Sequence, residues 1–297
     1  MKSNEVIEYI SKHLDPQTEL PPLYHYTSVY GLEGILEHKV VWVSHTDFLN
    51  DKTERLYSEN IITELVKEKF ETKLSAELKK EPRIKTILDN MLGIFQNRSV
   101  PTFVLSLSTN KDSNLLWSNY SKDDGYNIKF DPEFLKNSDE IQIEDKLREV
   151  GIIFKSKVIY DEEKHIQALS ELADHYVEHF HNGGQSEEEF KEKLRAMHIA
   201  FEVIASFFKD SCFQQEEEWR IVFFTKTDDL KVNHRIMNGA FIPYVKLSFD
   251  KNKVKGVTIG PKNNLDICEE GLKSFLETKK YDLETVEINR SKIPYRY

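Results

Sequence analysis

In "QQEEEWRIV", Glu216, Glu218 and Arg220 recur at every second residue, with Trp219, Ile221 and Phe223 filling the alternate positions. In an extended strand that period puts the three ionisable groups on one face and the apolar groups on the other. A Glu-x-Glu-x-Arg row on a strand that otherwise reads as core supports two chemistries. In the structural one, Arg220 neutralises Glu218 or Glu216. In the catalytic one, a carboxylate holds a sugar hydroxyl and stabilises the positive charge that develops as a glycosidic bond breaks, while Arg220 meets a phosphate. Physics alone leaves the ion-pair reading slightly ahead.

A second concentration of site chemistry is "LYHYTSVYGLEGILEHKVVWVSHTDFLNDKTE", Leu23 to Glu54. His25 and Thr27 share a strand face, opposite Tyr24 and Tyr26, and a neutral imidazole beside a hydroxyl can hold a ribose or an amide. Asn50, Asp51 and Glu54 lie in a stretch rich in turn formers, where an Asx turn or a helix cap accounts for them almost fully. Trp42, Trp117 and Trp219 all fall in or beside short strand segments. A shared core explains that placement, and so does an aromatic wall around a planar ligand.

These residues need elements to position them. The spacing predicts a helix over residues 3–14 and a strand "LYHYT". Ser28 then caps a helix carrying Leu32, Ile35 and Leu36, and the strand "VVWVS" follows. Residues 52–97 read as a charged helical block. "PTFVLSLST" is a strand with Ser106 and Ser108 on one side. "NLLWSNY" is a short helix bearing Trp117 and Tyr120, followed by a turn at Asp124 and Gly125 and a strand. Residues 152–160 form a strand, residues 161–210 two long helices, and "EEEWRIVFFT", "FIPYVKLSF" and "VKGVTIGP" three more strands. A helix near 265–278 and a strand near 285–288 close the pattern. Strands spread along the chain with helices in two blocks predict one α+β domain over residues 1–297, with helical insertions at about 52–97 and 161–210.

Composition narrows the function classes. Hydrophobic residues at 39% and charged residues at 31% of 297 describe a soluble globular chain, and no apolar run approaches the roughly 18 residues of a membrane helix. The first residues lack the features of a secretion signal, so a cytoplasmic location and no membrane partner are expected. Cys212 and Cys268 have no closely spaced Cys or His, so no metal is expected there, and acids beside Cys212 disfavour a thiolate nucleophile. A net charge of −10 disfavours a surface built for nucleic-acid backbone but permits a local basic pocket. Templates for phosphate-cradling loops, Rossmann turns, nucleophile elbows and His-Glu-x-x-His zinc sites are missing from the sequence.

Taken in order, "LYHYTS…L..IL…VWVS…FLND..E", "LSLS……LLWSNY….GYNIKFD", "VIYD", "EEEWRIV" and "VTIGPKNN" resemble the bacterial DUF2971 family from about Leu23 to Asn264. That family is similar to the ADP-ribosyltransferase fold, and "YHYTS…L..IL" looks like the opening of DarT-type DNA ADP-ribosyltransferases. The resemblance implies a central split, mixed β-sheet core with two helical insertions, and NAD as co-substrate. It gives His25, with Thr27, the first-strand contact to NAD, and Trp42 or Ser44 the nicotinamide end. Glu218, with Glu216, becomes the catalytic carboxylate that holds the nicotinamide ribose, and Arg220 the pyrophosphate contact. Asn50, Asp51 and Glu54 would line the acceptor side, and Trp117 and Tyr120 stand as further substrate candidates. The expected activity is mono-ADP-ribosyl transfer to a nucleic-acid or protein acceptor, in a toxin or phage-defence effector. Two alternatives stay open: a non-catalytic ligand-sensing module with a nucleotide pocket, and a metal-dependent nuclease using Asp51, Glu54 and Glu218.

Overall fold

The computed structural model describes residues 3–14, 20–49, 53–74, 101–121, 124–134, 142–143, 146–147, 151–181, 187–225, 232–237, 239–263 and 265–294. The elements in chain order are α1 (Ser3–His13), β1 (Leu23–Thr27), α2 (Val29–His38), β2 (Val40–His45), α3 (Thr53–Lys73), β3 (Thr102–Ser108), α4 (Asn114–Tyr120), β4 (Tyr126–Phe130), β5 (Gln142–Ile143), β6 (Lys146–Leu147) and β7 (Gly151–Lys157). They continue with α5 (Glu162–His181), α6 (Glu187–Ala205), β8 (Glu218–Thr225), β9 (Asn233–Met237), β10 (Ala240–Ser248), β11 (Val254–Ile259), α7 (Cys268–Thr278) and β12 (Glu287–Arg290). This is a mixed α+β arrangement. Ten strands form one large sheet, and β5 and β6 pair separately.

The sheet forks at β3. Along one edge β3 pairs antiparallel with β8 over its whole length, from Thr102↔Phe224 to Ser108↔Glu218. Its other edge is shared: β2 takes the first end at Phe103 and Val104, and β1 takes the far end at Ser108. Between them, Leu105, Ser106 and Leu107 have no strand registered beside them on that edge among the described residues. From β1 the sheet continues through β4, β11 and β12, and from β2 through β10 and β9. The β11–β12 pair is parallel.

Alternation along β3 and β8 divides the core. Phe103, Leu105, Leu107, Trp219, Ile221 and Phe223 join one cluster with Leu32 and Leu36 of α2 and Leu272 and Leu276 of α7. On the opposite face, Val104, Val222 and Phe224 pack beneath a helical layer from α1, α3, α5 and α6. The same face then turns polar, because the next residues along it are Ser106 and Ser108 on β3 and Arg220 and Glu218 on β8. Ser28 caps α2 by accepting from the Gly31 N–H at 3.3 Å.

Some expectations shift. The predicted strand pairing of Glu216 with Glu218 is wrong: Glu216 ends a short 3-10 helix, and Glu217 adopts a left-handed backbone at φ 45° before β8 begins. The strand β9 was not anticipated, α7 begins at Cys268 rather than Leu265, and the last strand is Glu287–Arg290. Residues 75–97 of the first expected helical block lie outside the described residues. No helix among the described residues is long and apolar enough to cross a membrane.

Candidate functional site at the sheet fork

The polar end of the β3–β8 face holds a charge network of Lys209, Glu216, Glu218 and Arg220, all buried. Arg220 grips Glu218 with two donors, Nε to Oε1 at 2.8 Å and Nη2 to Oε2 at 3.1 Å, while Nη1 donates to the Ser206 carbonyl at 2.8 Å. Lys209 Nζ donates to Glu216 Oε2 at 2.7 Å and Glu218 Oε2 at 2.9 Å, and sits 4.8 Å from the Phe213 ring centre. Tyr120 donates to Glu216 Oε1 at 3.0 Å, and Tyr160 accepts from the Glu218 N–H at 3.1 Å. Two carboxylates thus face two cations, which is how buried charge is tolerated. The chain makes this possible locally because the left-handed Glu217 folds Glu216 back toward Lys209, so both acids converge without sharing a strand.

Burial alone would raise the pKa of Glu218, but Arg220 and Lys209 outweigh it and bring it down to about 2. The group is therefore a carboxylate throughout the neutral range. Such a group stabilises positive charge well but is a poor general base, since efficient proton transfer needs a pKa near the working pH. The Ser106 hydroxyl also donates to Glu218. With Arg220 and Lys209 this brings four donors to a carboxylate with about four acceptor sites.

Ser106 also joins this network to β1. His25 Nδ1 lies 3.2 Å from the Ser106 carbonyl oxygen. A carbonyl can only accept, so the proton sits on Nδ1, and Nε2 of the neutral ring is left as an acceptor. Burial, helped by the charge of Arg235, lowers the His25 pKa against the opposing effect of the Ser106 bond, which keeps the ring neutral. By alternation His25 shares the face of Leu23, whereas Glu218 shares that of Ser106; the two strands meet through this one serine. Ser106 is exposed while the rest of β3 is buried. It forms the open floor of the fork.

The remaining predicted residues separate. Ser44 is buried on β2 and accepts from Arg235 Nη2 at 3.0 Å. Trp42, on the same face, is 44% exposed and stacks on Tyr244 with ring centres 4.4 Å apart. Thr27 faces the first turn of α2, where its hydroxyl occupies the space beside Gly31. Trp117 is buried, meets Tyr26 edge-on at 4.7 Å and donates from Nε1 to Asp112 at 2.7 Å. Trp219 belongs to the α2/α7 side of the core. The three tryptophans form neither a shared core nor a common wall. Arg220, expected at a pyrophosphate, is instead occupied by Glu218 and Ser206. Asn50 and Asp51 lie outside the described residues; Glu54 falls in the first turn of α3, and its side chain lies outside them as well.

Sequence reasoning missed Lys209 and Arg235. Lys209 carries no local signal, because only closure of the loop after α6 brings it to the acids. Arg235 had one: "NHRIMNGAFIPY" contains Asn-Gly between alternating residues, a strong hairpin pattern. Among the described residues, no group of three or more His, Cys, Asp or Glu side chains could hold a metal ion.

Residues 116–221 match the DUF2971 family model, described as a protein of unknown function. No curated protein matches the chain, and no solved structure does. The matched span is narrower than the motif series from Leu23 to Asn264. It contains Trp117, Tyr120, Glu216, Glu218 and Arg220, whereas His25, Thr27, Trp42 and Ser44 precede it.

Proposed function

We propose, starting from the DUF2971 match over residues 116–221 and from the forked sheet, that this chain binds NAD at the fork and transfers its ADP-ribose to a nucleic-acid or protein acceptor. In this reading the fork is the counterpart of the split sheet of ADP-ribosyltransferases. The observation that carries the reading is Ser106, a solvent-open serine whose carbonyl meets His25 and whose hydroxyl meets the buried Glu218. A ribose hydroxyl taking the place of the Ser106 hydroxyl would engage Glu218, while His25, whose side chain stands on the opposite face of the sheet, would hold the Ser106 carbonyl rather than the sugar. As the nicotinamide–ribose C–N bond breaks, its electron pair leaves with nicotinamide. The permanently ionised Glu218 stabilises the cationic sugar, and an acceptor nucleophile bonds to the same carbon and loses its proton to solvent.

A second reading rests on the four donors around Glu218. A carboxylate with its acceptor capacity filled suits a module that binds a nucleotide without turning it over. Labelled NAD incubated with cell extract separates the two. Transfer of label by the wild type, lost in a folded Glu218→Gln variant, is the expected result. Binding without nicotinamide release supports the sensing module, and neither binding nor release in the wild type overturns both readings.

A further inference from the structure

Arg235 differs from Arg55, Lys209 and Arg220. Arg55 pairs with Glu202, Lys209 with Glu216 and Glu218, and Arg220 with Glu218. Arg235 has no acidic partner among the described residues, and its Nε is buried without an acceptor. Burial pushes its pKa down, as expected for a cation whose charge is uncompensated. Two residues earlier on the same strand, and so on the same face, Asn233 Nδ2 is also buried without an acceptor.

Where this guanidinium sits is set by its length. β9 lies at the sheet edge, with β10 between it and β2. Neighbouring strands are about 4.8 Å apart, so an extended arginine side chain is needed to cross β10. Arg235 makes that crossing: its Nη2 reaches Ser44 on β2, and its charge is felt at His25 on β1. The stacked Trp42–Tyr244 pair occupies the same face. In a chain of net charge −10, an unpaired cation held across a strand beside an aromatic platform has a specific electrostatic meaning. An arginine with free planar donors fits a phosphate oxygen pair, and an unsatisfied amide beside it adds a further donor.

We infer that Arg235, with Asn233 and Ser44, forms a phosphate-binding subsite at the β2 side of the fork. This deepens the NAD reading and rests on it for the identity of the ligand: Arg235 receives the pyrophosphate, the role that the family resemblance implied for Arg220. The half-exposed Trp42 ring then lies where a base could stack.

The test uses the full chain and three probes: inorganic pyrophosphate, NAD, and adenosine as a phosphate-free control. Thermal shift and calorimetry are run on wild type, Arg235→Gln and Arg235→Lys. Pyrophosphate is expected to stabilise the wild type, with affinity falling about tenfold or more in Arg235→Gln and partly restored in Arg235→Lys. Without ligand, Arg235→Gln should melt no lower than the wild type, because it removes an uncompensated buried charge; a lower melting point would mean a structural arginine and overturn the subsite. Pyrophosphate binding that needs Arg235 together with no NAD binding keeps the subsite and removes the NAD reading. NAD binding that is equal in wild type and Arg235→Gln keeps the NAD reading and overturns the subsite. Equal response to adenosine and pyrophosphate also overturns it.

Discussion

At the scale of single residues, four buried charges, Lys209, Glu216, Glu218 and Arg220, compensate one another. Breaking a buried pair costs more than the pair is worth, because the surviving partner stays buried and uncompensated. Lys209→Met leaves Glu216 and Glu218 facing Arg220 alone, and denaturant unfolding should register a loss of about 3–5 kcal/mol. The pH dependence follows from the same network. Glu218 titrates near 2 in the folded chain against an ordinary 4.5, so its stabilising contribution is present above about 4.5 and is lost as pH falls toward 2. Without Lys209 its folded pKa rises, and acid unfolding should begin at higher pH than in the wild type; an unchanged acid midpoint would mean that the lysine does not hold the carboxylate. The alternation of Glu218 and Arg220 was legible in "EEEWRIV", because β8 is a regular strand. Glu216 was placed wrongly because a non-glycine residue at positive φ, here Glu217, leaves no pattern in a run of glutamates.

At the scale of elements, two of the motif segments lock together away from the fork. The turn before β4 and the end of β11 meet where Gly260 N–H donates to the Gly125 carbonyl at 2.8 Å. A Cβ at Gly260 would come 2.7 Å from that carbonyl oxygen and 3.0 Å from the buried Trp117 ring. Neither neighbour can step aside easily, since one is backbone and the other is packed against Tyr26. Gly260→Ala should therefore destabilise by roughly 1–3 kcal/mol in thermal or denaturant melts, with overpacking as the cause. A neutral effect would show that α4 and β11 are not held at this spacing. Helices α2, α4, α5 and α6 could be read from period and caps, because each has one buried face, and β8 is the last eight residues of the strand pattern "EEEWRIVFFT". The hairpin strand β9 escaped because its side chains alternate between half-buried and exposed rather than between core and solvent. That miss also hid Arg235.

At the scale of the whole molecule, the division of labour between the two faces of the sheet is what produces a site. Helices α2 and α7 cover one face, and α1, α3, α5 and α6 cover the other only over part of its length. Where that layer ends, the face becomes Ser106, Ser108, Glu218 and Arg220, and strands β1 and β2 part. No sequence pattern announces a fork, because it arises when two strands distant in the chain claim opposite ends of one edge. The most direct test of the central claim is hydrogen–deuterium exchange of the full chain with and without saturating NAD. Protection should concentrate in residues 23–27, 40–45, 104–108 and 216–220, which surround the fork. Ligand-induced protection elsewhere that leaves these four segments unchanged, or no change anywhere at saturating NAD, would contradict it.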